Sequence, residues 1–281
     1  MIHIATVHWE QDIWIDIQLT YFKKFIQEEY RTYAFLNHLP EDHSNKFYYS
    51  SNEPIKEHSI KLNLLADIIC FAAEREDDIL IFIDGDAFPV GDILSFGRKK
   101  LNDFPLIAIQ RRENRGDIQP HPAFCMTTVG FWKKIKGDWA KGYQWQNNQG
   151  KFVSDIGGNL LGILTQKQIQ WHPLLRSNKK NIHPVFFGIY EGLIYHHGSG
   201  FRNGSSRQFA HDKKKELRRK PFSRMYDQLL RIAFGRGRLR KYYYKYSPKA
   251  ALKRQAVTES QDLSLSLYNT IKQNLFFFKD L

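Results

Sequence analysis

The chain has 281 residues, of which 42% are hydrophobic, and its formal net charge is +13 at pH 7. This length can bury a sizeable core. No apolar run approaches the length that crosses a bilayer, so no membrane-spanning helix is predicted. The two cysteines, Cys70 and Cys125, lie in apolar surroundings without metal-ligand spacing, so we expect buried, inert thiols in a reducing compartment.

Strands and helices alternate through the first half of the predicted structure. Residues 1–7 begin the pattern as a strand, so no signal peptide is predicted and we expect a cytoplasmic protein, free or on the inner face of the cell membrane. Apolar runs predict strands at residues 2–8, 32–39, 79–83, 105–110, 123–129, 169–173 and 192–197. Helical spacing predicts helices at residues 13–30, 60–72, 131–136 and 156–166. The alternation predicts an α/β fold with a mostly parallel central sheet flanked by helices.

The C-terminal region is strongly basic. Residues 202–254 contain 18 Lys/Arg against 3 Asp/Glu, a net charge of +15, which leaves −2 for the rest of the chain. Apolar residues from Phe222 to Ala233 have helical spacing, which is typical of helices that bind anionic lipid surfaces. The interleaved tyrosines also fit nucleic-acid binding, which we disfavour because no nucleic-acid motif is present. A solvated tail is the third alternative.

Two carboxylates end the predicted strand at residues 79–83. Asp84 and Asp86 are separated by Gly85 and follow five apolar residues. The carboxyl end of such a strand is where open α/β sheets bind ligands. Because two adjacent acids repel each other unless a cation lies between them, we predict a Mg²⁺ or Mn²⁺ site that binds a phosphorylated or nucleotide-linked substrate.

This segment resembles the Asp-Xaa-Asp element of the GT-A glycosyltransferases. The resemblance covers residues 1–202 and implies a nucleotide-binding half at 1–110 and an acceptor-binding half at 111–202, with residues 203–281 as a basic extension that is helical or partly disordered. It implies that Asp84 and Asp86 hold Mn²⁺ or Mg²⁺ against the diphosphate of a UDP- or GDP-sugar, with Asp84 also contacting the donor. Such a metal neutralises the charge that develops on the leaving diphosphate.

A second element lies more than a hundred residues downstream, where a strand runs into a Gly-rich turn. In several metal-dependent GT-A families a late histidine completes the metal shell, and a lysine six residues later contacts the diphosphate. His196 and Arg202 have that spacing here, with arginine in place of lysine. His197 is the alternative ligand, and the structural alternative is a pair of histidines in a polar turn.

Asp155 lies at the predicted start of the helix over residues 156–166. The resemblance implies that this carboxylate faces the acceptor or the sugar. It would be the general base of an inverting mechanism, or it would bind a sugar hydroxyl, as in retaining members. A plain helix cap is the structural alternative, and Glu191 is a second candidate for the base.

Further candidates follow the first strand and its neighbours. Thr6 and His8, with Trp9, follow strand one, where the base and ribose lie in this fold. Lys61 begins the helix before the Asp-Gly-Asp strand and could reach phosphate; the alternative is a solvated surface lysine.

Other residues are candidates for the mouth of the site. Arg111 and Arg112 follow the strand at residues 105–110. Trp139, Tyr143 and Trp145 could stack on sugar rings, and structural packing explains them equally well.

The sequence therefore predicts a metal-dependent glycosyltransferase. It would move a sugar from a nucleoside-diphosphate donor to a glycan or lipid-linked acceptor, in the synthesis of a bacterial surface polysaccharide. A haloacid-dehalogenase-type phosphatase also has an apolar strand before Asp-Xaa-Asp, but it needs Thr or Val where this chain has Phe88. An RNA- or membrane-binding protein without catalysis would leave the Asp-Gly-Asp strand unexplained.

Overall fold

The computed structural model describes residues 1–198, 221–234 and 237–281. These residues form two compact units, the first made of residues 1–179, 188–196 and 281, and the second of residues 180–187 and 197–280. The predicted domain boundary between residues 202 and 203 lies outside the described residues, as does Arg202.

A seven-stranded sheet forms the centre of the first unit. The strands of the described residues are β1 (Ile2–Trp9), β2 (Tyr30–Asn37), β3 (Tyr49–Ser51), β4 (Ile79–Asp84), β5 (Ala87–Pro89), β6 (Leu106–Ile109), β7 (His121–Thr128), β8 (Trp145–Gln146), β9 (Phe152–Val153), β10 (His172–Leu174), β11 (Gly188–Tyr190) and β12 (Ile194–His196). The sheet has the order β10-β6-β7-β4-β1-β2-β3. Only β7 runs against its neighbours, so the predicted α/β fold with a mostly parallel central sheet is confirmed.

The strand order reverses between β1 and β4. The chain moves from β1 outward to β2 and β3, then returns to place β4 on the other side of β1, with Val7 opposite Asp84. Such a switch point opens a crevice at the carboxyl ends of the two strands, which is the usual ligand site of an open α/β sheet. Asp84 therefore ends its strand inside the crevice region.

Helices cover both faces of this sheet. In the first unit they are α1 (Ile15–Phe25), α2 (His58–Ala72), α3 (Ile93–Leu101), α4 (Val129–Ile135) and α5 (Gly158–Gln166). Because side chains alternate along a strand, Leu80 and Phe82 face the core shared with α2, α4 and α5. Ile81 and Ile83 face the core shared with α1 and α3. Burial on both faces explains why β4 is a continuous apolar run.

Several element boundaries differ from the predicted ones for local backbone reasons. The helix predicted at residues 13–30 ends at Phe25, because Ile26 is already extended. The strand predicted to end at residue 39 ends at Asn37, because His38 has a φ of +58°. The helix predicted from residue 156 begins at Gly158, because Gly157 adopts a φ of +85°.

Other elements were not predicted from the sequence. The antiparallel pair of β8 and β9 has no counterpart among the predicted strands. α3 was also missed, although Asp92 begins it and its side chain accepts a hydrogen bond from the Ser95 amide, which is a typical start signal.

The described residues of the second unit are mainly helical: α6 (Pro221–Phe234), α7 (Arg240–Tyr246) and α8 (Pro248–Gln273). α8 starts with a proline in its first turn and with the Ser247 hydroxyl accepting from the Ala250 amide, both favourable at a helix start. The Ser247 hydroxyl also donates a hydrogen bond to the Asp227 carboxylate of α6. None of the helices in the described part of the chain combines the length and the hydropathy of a membrane span.

We expect Phe82→Ala to lower the free energy of unfolding by about 3–5 kcal/mol, because it leaves a cavity in the core. The Phe82 ring is fully buried and lies 4.7 Å from the Trp132 ring and 5.1 Å from the Trp139 ring, measured between centroids. The matched control is Phe71→Ala on α2, where the ring is 93% exposed and the change should stay within about 0.5 kcal/mol. Urea unfolding of the two variants measures both values; equal losses would contradict the assigned core.

Candidate active site

Two carboxylates and one imidazole converge beside the switch point. Asp84 ends β4, and the short strand β5 that follows Asp86 pairs with β12, where Ala87 lies opposite His196. His196 Nε2 is 3.4 Å from Asp86 Oδ1 and 3.8 Å from Asp84 Oδ2. One ligand atom from each of the three residues lies within 4.8 Å of the others. Carboxylate oxygens with one imidazole nitrogen suit a divalent cation such as Mn²⁺ or Mg²⁺.

Two further histidines surround Asp84. His58, the first residue of α2, places Nε2 3.0 Å from Asp84 Oδ1, and the ring of His121 lies 5.8 Å from that of His196. Burial raises the pKa of the Asp84 carboxyl, but the hydrogen bond with His58 and the nearby imidazoles of His58, His121 and His196 outweigh it, so the pKa lies below its usual range. Asp84 is therefore an anion at neutral pH. Sequence reasoning missed His58, because no local motif marks a contact made across 26 residues.

The glycine between the two aspartates is required by the space around it. A Cβ on Gly85 would lie 2.6 Å from both the Val7 carbonyl oxygen and His8 Nδ1. The Gly85 amide also donates to that carbonyl at 3.2 Å. Only glycine lets the backbone turn this tightly against the end of β1.

The structure places His8 and Thr6 in the base of the site. His8 is buried, and this burial lowers its pKa to about 4, so its ring is neutral at pH 7. The Thr6 hydroxyl donates to the Gln18 Oε1 atom at 3.2 Å, and the Gln18 amide donates to the carbonyls of Asp84 at 2.8 Å and Ala87 at 2.7 Å. Thr6 thus supports the turn that carries the aspartates.

Lys61 is buried, so the alternative of a solvated surface lysine is wrong. The side chain is 1% exposed and donates to the Asn37 Oδ1 atom at 2.9 Å. Its ammonium also lies 4.2 Å from the centroid of the Trp9 ring. Trp9 and Asn37 end β1 and β2, so this cation lies at the same edge of the sheet as Asp84.

The neighbouring histidine, His197, has a different environment. Its Nε2 atom lies 2.5 Å from the Ser264 hydroxyl of α8, and its ring packs edge-on against Phe187 at 4.8 Å. The structure thus brings His196 to the aspartates and His197 to a buried serine. Arg202, the predicted diphosphate contact, lies outside the described residues.

Asp155 lies just before α5 rather than at its cap. Gly157 is the cap residue, and the Asp155 side chain is 53% exposed, 3.7 Å from the Lys141 ammonium. Its Oδ1 atom accepts from the Ile156 amide at 2.9 Å. Glu191, the second candidate base, accepts from the Leu175 amide at 3.4 Å and is exposed.

The three aromatic candidates for sugar stacking differ in their exposure to solvent. Trp139 and Trp145 are 0% and 4% exposed, so both belong to the packed interior, and Trp139 stacks in the core with Trp132. Tyr143 is 38% exposed. Stacking on a sugar is therefore open to Tyr143 and not to the two tryptophans.

The loop over residues 110–120 adds charged groups to this edge of the sheet. The Tyr190 hydroxyl donates to the Glu113 carboxylate at 2.6 Å, and Arg111 Nε lies 3.6 Å from the same oxygen. Burial lowers the pKa of the Arg111 guanidinium, but the nearby Tyr190 hydroxyl and the carboxylates of Glu113, Asp117 and Asp84 raise it by a larger amount, so Arg111 is a permanent cation. Arg111 is thus electrostatically coupled to the carboxylate of Asp84.

Comparison with known proteins gives similarity of structure alone. No protein-family model and no curated protein matches the chain. Similar solved structures include apo glycosyltransferase GlyE of Streptococcus pneumoniae TIGR4, with TM-score 0.39, 10% identity, and coverage of 60% of this chain and 44% of that one. The galactosyltransferase LgtC, in complex with donor and acceptor sugar analogues, has TM-score 0.37 and 10% identity over 61% of this chain and 73% of that one.

A third similar structure is the mannosyltransferase PcManGT of Pyrobaculum calidifontis in complex with GDP-Man and Mn²⁺, with TM-score 0.43 and 9% identity over 97% of this chain and 79% of that one. All three are glycosyltransferases, the class that the sequence resembles. The chain spans less than half the length of GlyE. At these scores the similarities establish neither the activity of this chain nor its substrates.

Asp117 predicts a pH dependence of stability. Burial raises its pKa to about 6, and Asp155 and Glu113 add to this against the opposing effects of Asn114 and Arg111. An unfolded aspartate titrates near 3.9, so between about pH 4 and pH 6 the folded state binds the extra proton and stability falls as pH rises. We expect Asp117→Asn to remove that fall, a relative gain of about 3 kcal/mol at pH 7.

Urea unfolding of both proteins from pH 4 to pH 7 measures this difference. Parallel stability curves for wild type and Asp117→Asn would show that Asp117 titrates as an ordinary surface carboxyl.

Proposed function

We propose that the chain is a metal-dependent glycosyltransferase, which moves a sugar from a nucleoside-diphosphate donor to a hydroxyl of a glycan or lipid-linked acceptor. The observation that supports this most is the convergence of Asp84, Asp86 and His196 at the switch point of a mostly parallel sheet. This is where such sheets bind nucleotides, and the donor set suits a cation that also holds phosphate oxygens.

The donor set fits Mn²⁺ or Mg²⁺, which Asp84, Asp86 and His196 would hold. When bound, such an ion supplies Lewis-acid stabilisation of the charge on the leaving diphosphate. The chain itself fixes the positions of these metal ligands. Gln18 holds the backbone on both sides of Gly85, and His58 orients Asp84.

The nucleoside part of the nucleotide-sugar donor would lie along the ends of β1 and β2. Lys61 and Trp9 are in contact there, so a basic side chain and an aromatic ring border this end of the crevice. Thr6 and His8 shape the base of the crevice, and His8 is neutral and buried there. Arg202 follows His196 by six residues, and we assign it to the diphosphate.

Asp155 is our candidate for the acceptor side. Its carboxylate is half exposed, so an acceptor hydroxyl can reach it. It would take the hydroxyl proton if the reaction inverts the anomeric centre, and would orient the sugar if the reaction retains it. A role in bacterial surface polysaccharide synthesis, with a lipid-linked acceptor, is consistent with the basic extension.

Thermal unfolding against UDP and GDP, with and without Mn²⁺, tests this function. A ligand at 100 times its Kd adds about 2.7 kcal/mol of stability, and each kcal/mol raises the Tm of a chain this size by about 2–4 °C. We expect a rise of several degrees with one nucleotide that requires Mn²⁺ and is lost in Asp86→Ala. The control is Asp103→Ala, an exposed carboxylate outside the site, which should keep the full rise.

Failure of both nucleotides to raise the Tm of the wild type would remove the nucleotide-sugar proposal. Retention of the metal-dependent rise in Asp86→Ala would remove Asp86 from the metal site.

We also infer that the extension binds anionic membrane surfaces, which would place the protein peripherally on the inner face of the cell membrane. α6 exposes a continuous apolar face, with Phe222, Met225, Leu229 and Ile232 between 56% and 83% exposed. These positions recur at helical spacing, so they share one face. The net charge of +15 over residues 202–254 would attract anionic lipid.

Replacing Phe222 and Ile232 together by aspartate should weaken binding to vesicles of phosphatidylglycerol and phosphatidylcholine, because it removes apolar contact and adds repulsion. Cosedimentation measures the bound fraction, and we expect at least about a tenfold loss of affinity, since burying a side chain of this size contributes about 1.5–3 kcal/mol. Leu265→Asp, at a position of α8 that is 52% exposed, is the control and should bind normally. Undiminished binding of the double variant would exclude the α6 face.

A further inference from the structure

In the loop over residues 110–120, two polar side chains are buried and the apolar side chain between them is exposed. It leaves the carboxyl end of β6 and returns at the start of β7, at the same edge of the sheet as Asp84. Within it Ile118 is 41% exposed, whereas Asp117 on one side is 7% exposed and Gln119 on the other is 1% exposed. Polar side chains in such positions normally face water, with the apolar residue inside. The reversed pattern therefore needs an explanation.

Hydrogen bonds within the described residues do not account for Gln119. Neither its Oε1 nor its Nε2 atom has a hydrogen-bond partner among them, although both atoms are inaccessible to solvent. A buried amide without partners is unfavourable to the folded protein. In this it differs from Gln110 at the start of the loop, whose Nε2 donates to the Ile118 carbonyl at 2.8 Å. A ligand with hydroxyl groups would satisfy both amide atoms of Gln119.

A second turn packs directly against Gln119. Gly157 has a φ of +85°, and a Cβ there would lie 2.1 Å from the Pro120 carbonyl oxygen and 3.5 Å from Gln119 Cγ. This contact keeps the turn that carries Asp155 beside the loop. Asp155 is accordingly close enough to Asp117 to raise its pKa, after the larger effect of burial.

The same cluster is coupled to the candidate metal site through Arg111. The charges of Asp117 and Asp84 both stabilise the Arg111 guanidinium. The Asn114 amide donates to Asp117 Oδ2 at 2.7 Å and so fixes the orientation of this carboxylate. The carboxylates of Asp117 and Asp155 and the amide of Gln119 thus form one cluster, which Arg111 links electrostatically to the Asp84 carboxylate.

We propose that Asp117 and Gln119 bind the hydroxyl groups of the sugar that is transferred, and so help to determine which nucleotide sugar the protein accepts. This rests on the proposed function. Each sugar hydroxyl donates one hydrogen bond and accepts others, which matches a carboxylate that accepts beside an amide that does both. A site of buried polar groups discriminates strongly, because a ligand lacking the matching hydroxyl leaves them unpaired.

The donor sugar suits the cluster of Asp117 and Gln119 better than the acceptor does. The donor sugar is bonded directly to the diphosphate that the metal would hold, so it would lie close to Asp84. Asp117 and Gln119 are buried, whereas Asp155 across the cluster is half exposed. An enclosed subsite suits the substrate that is held through its diphosphate, and the exposed carboxylate suits an acceptor arriving from solvent.

Isothermal titration of the full chain with Mn²⁺ tests the proposal. The probes are UDP-glucose, UDP-galactose and GDP-mannose, each compared with UDP or GDP alone. For any nucleotide sugar that the wild type binds, Gln119→Met should weaken affinity about tenfold, in line with one lost polar contact in a buried site. Affinity for the matching nucleoside diphosphate should change less than about twofold, because the diphosphate and base contacts remain.

A stability measurement separates binding from a structural role. If Gln119 serves a ligand, the free Gln119→Met protein should unfold at the wild-type temperature or above it, since an unpaired amide is removed at similar volume. Gln146→Met, at an exposed glutamine of β8, is the matched control and should bind all probes as the wild type does. Asp117→Asn is the second variant, with the same expected loss for nucleotide sugars alone.

Unchanged nucleotide-sugar affinity in both variants would overturn the proposal. So would equal losses for sugar nucleotide and nucleoside diphosphate accompanied by a lower Tm, which is the signature of a structural residue. A wild type that binds none of the nucleoside diphosphates would instead remove the proposed function itself.

Discussion

The repulsion between Asp84 and Asp86 is the constraint on which the surrounding structure depends. Two carboxylates separated by a single glycine at the end of a buried strand are unfavourable unless their charge is compensated. The chain meets part of this requirement with His58 and His196, which contact the carboxylates directly. It holds the turn itself with the buried Gln18 amide. A divalent cation held by Asp84, Asp86 and His196 would compensate the charge of both carboxylates, which is why we interpret the cluster as a metal site.

Rigid support for this turn comes from the sheet. β4 is packed on both faces, with Phe82 in one core and Ile83 in the other. β1 lies beside it in parallel register, so the end of β1 forms the wall against which Gly85 turns. The same topology brings Trp9 and Lys61, both candidates from the sequence, to this edge together with Asn37, which the sequence did not indicate. A site assembled from strand ends is therefore as precise as the packing of the strands.

Features that depend on local sequence patterns could be predicted from the sequence. Contacts between residues far apart in the chain could not. β4 and its aspartates were predictable because a doubly buried strand is an apolar run that ends where polarity begins. His196 was the first choice from its spacing, but the pairing of β5 with β12 that brings it to the aspartates is not revealed by neighbouring residues. The burial of Lys61 and of Trp139 was equally hidden, because a lysine at a helix start and a tryptophan in a polar segment give no sign of whether solvent reaches them.

Charge balance links the metal site to the rest of the crevice. Asp84 is anionic and His8 is neutral at pH 7, so the ring nearest the turn adds no positive charge. A divalent ion would offset the two aspartates and leave a bound diphosphate to be matched by other cations. Arg111 after β6 is a permanent positive charge, and the Lys61 side chain lies on the other side of β4, at the ends of β1 and β2. Arg111 would thus attract an anionic substrate to the crevice, although the chain outside residues 202–254 has a slightly negative net charge.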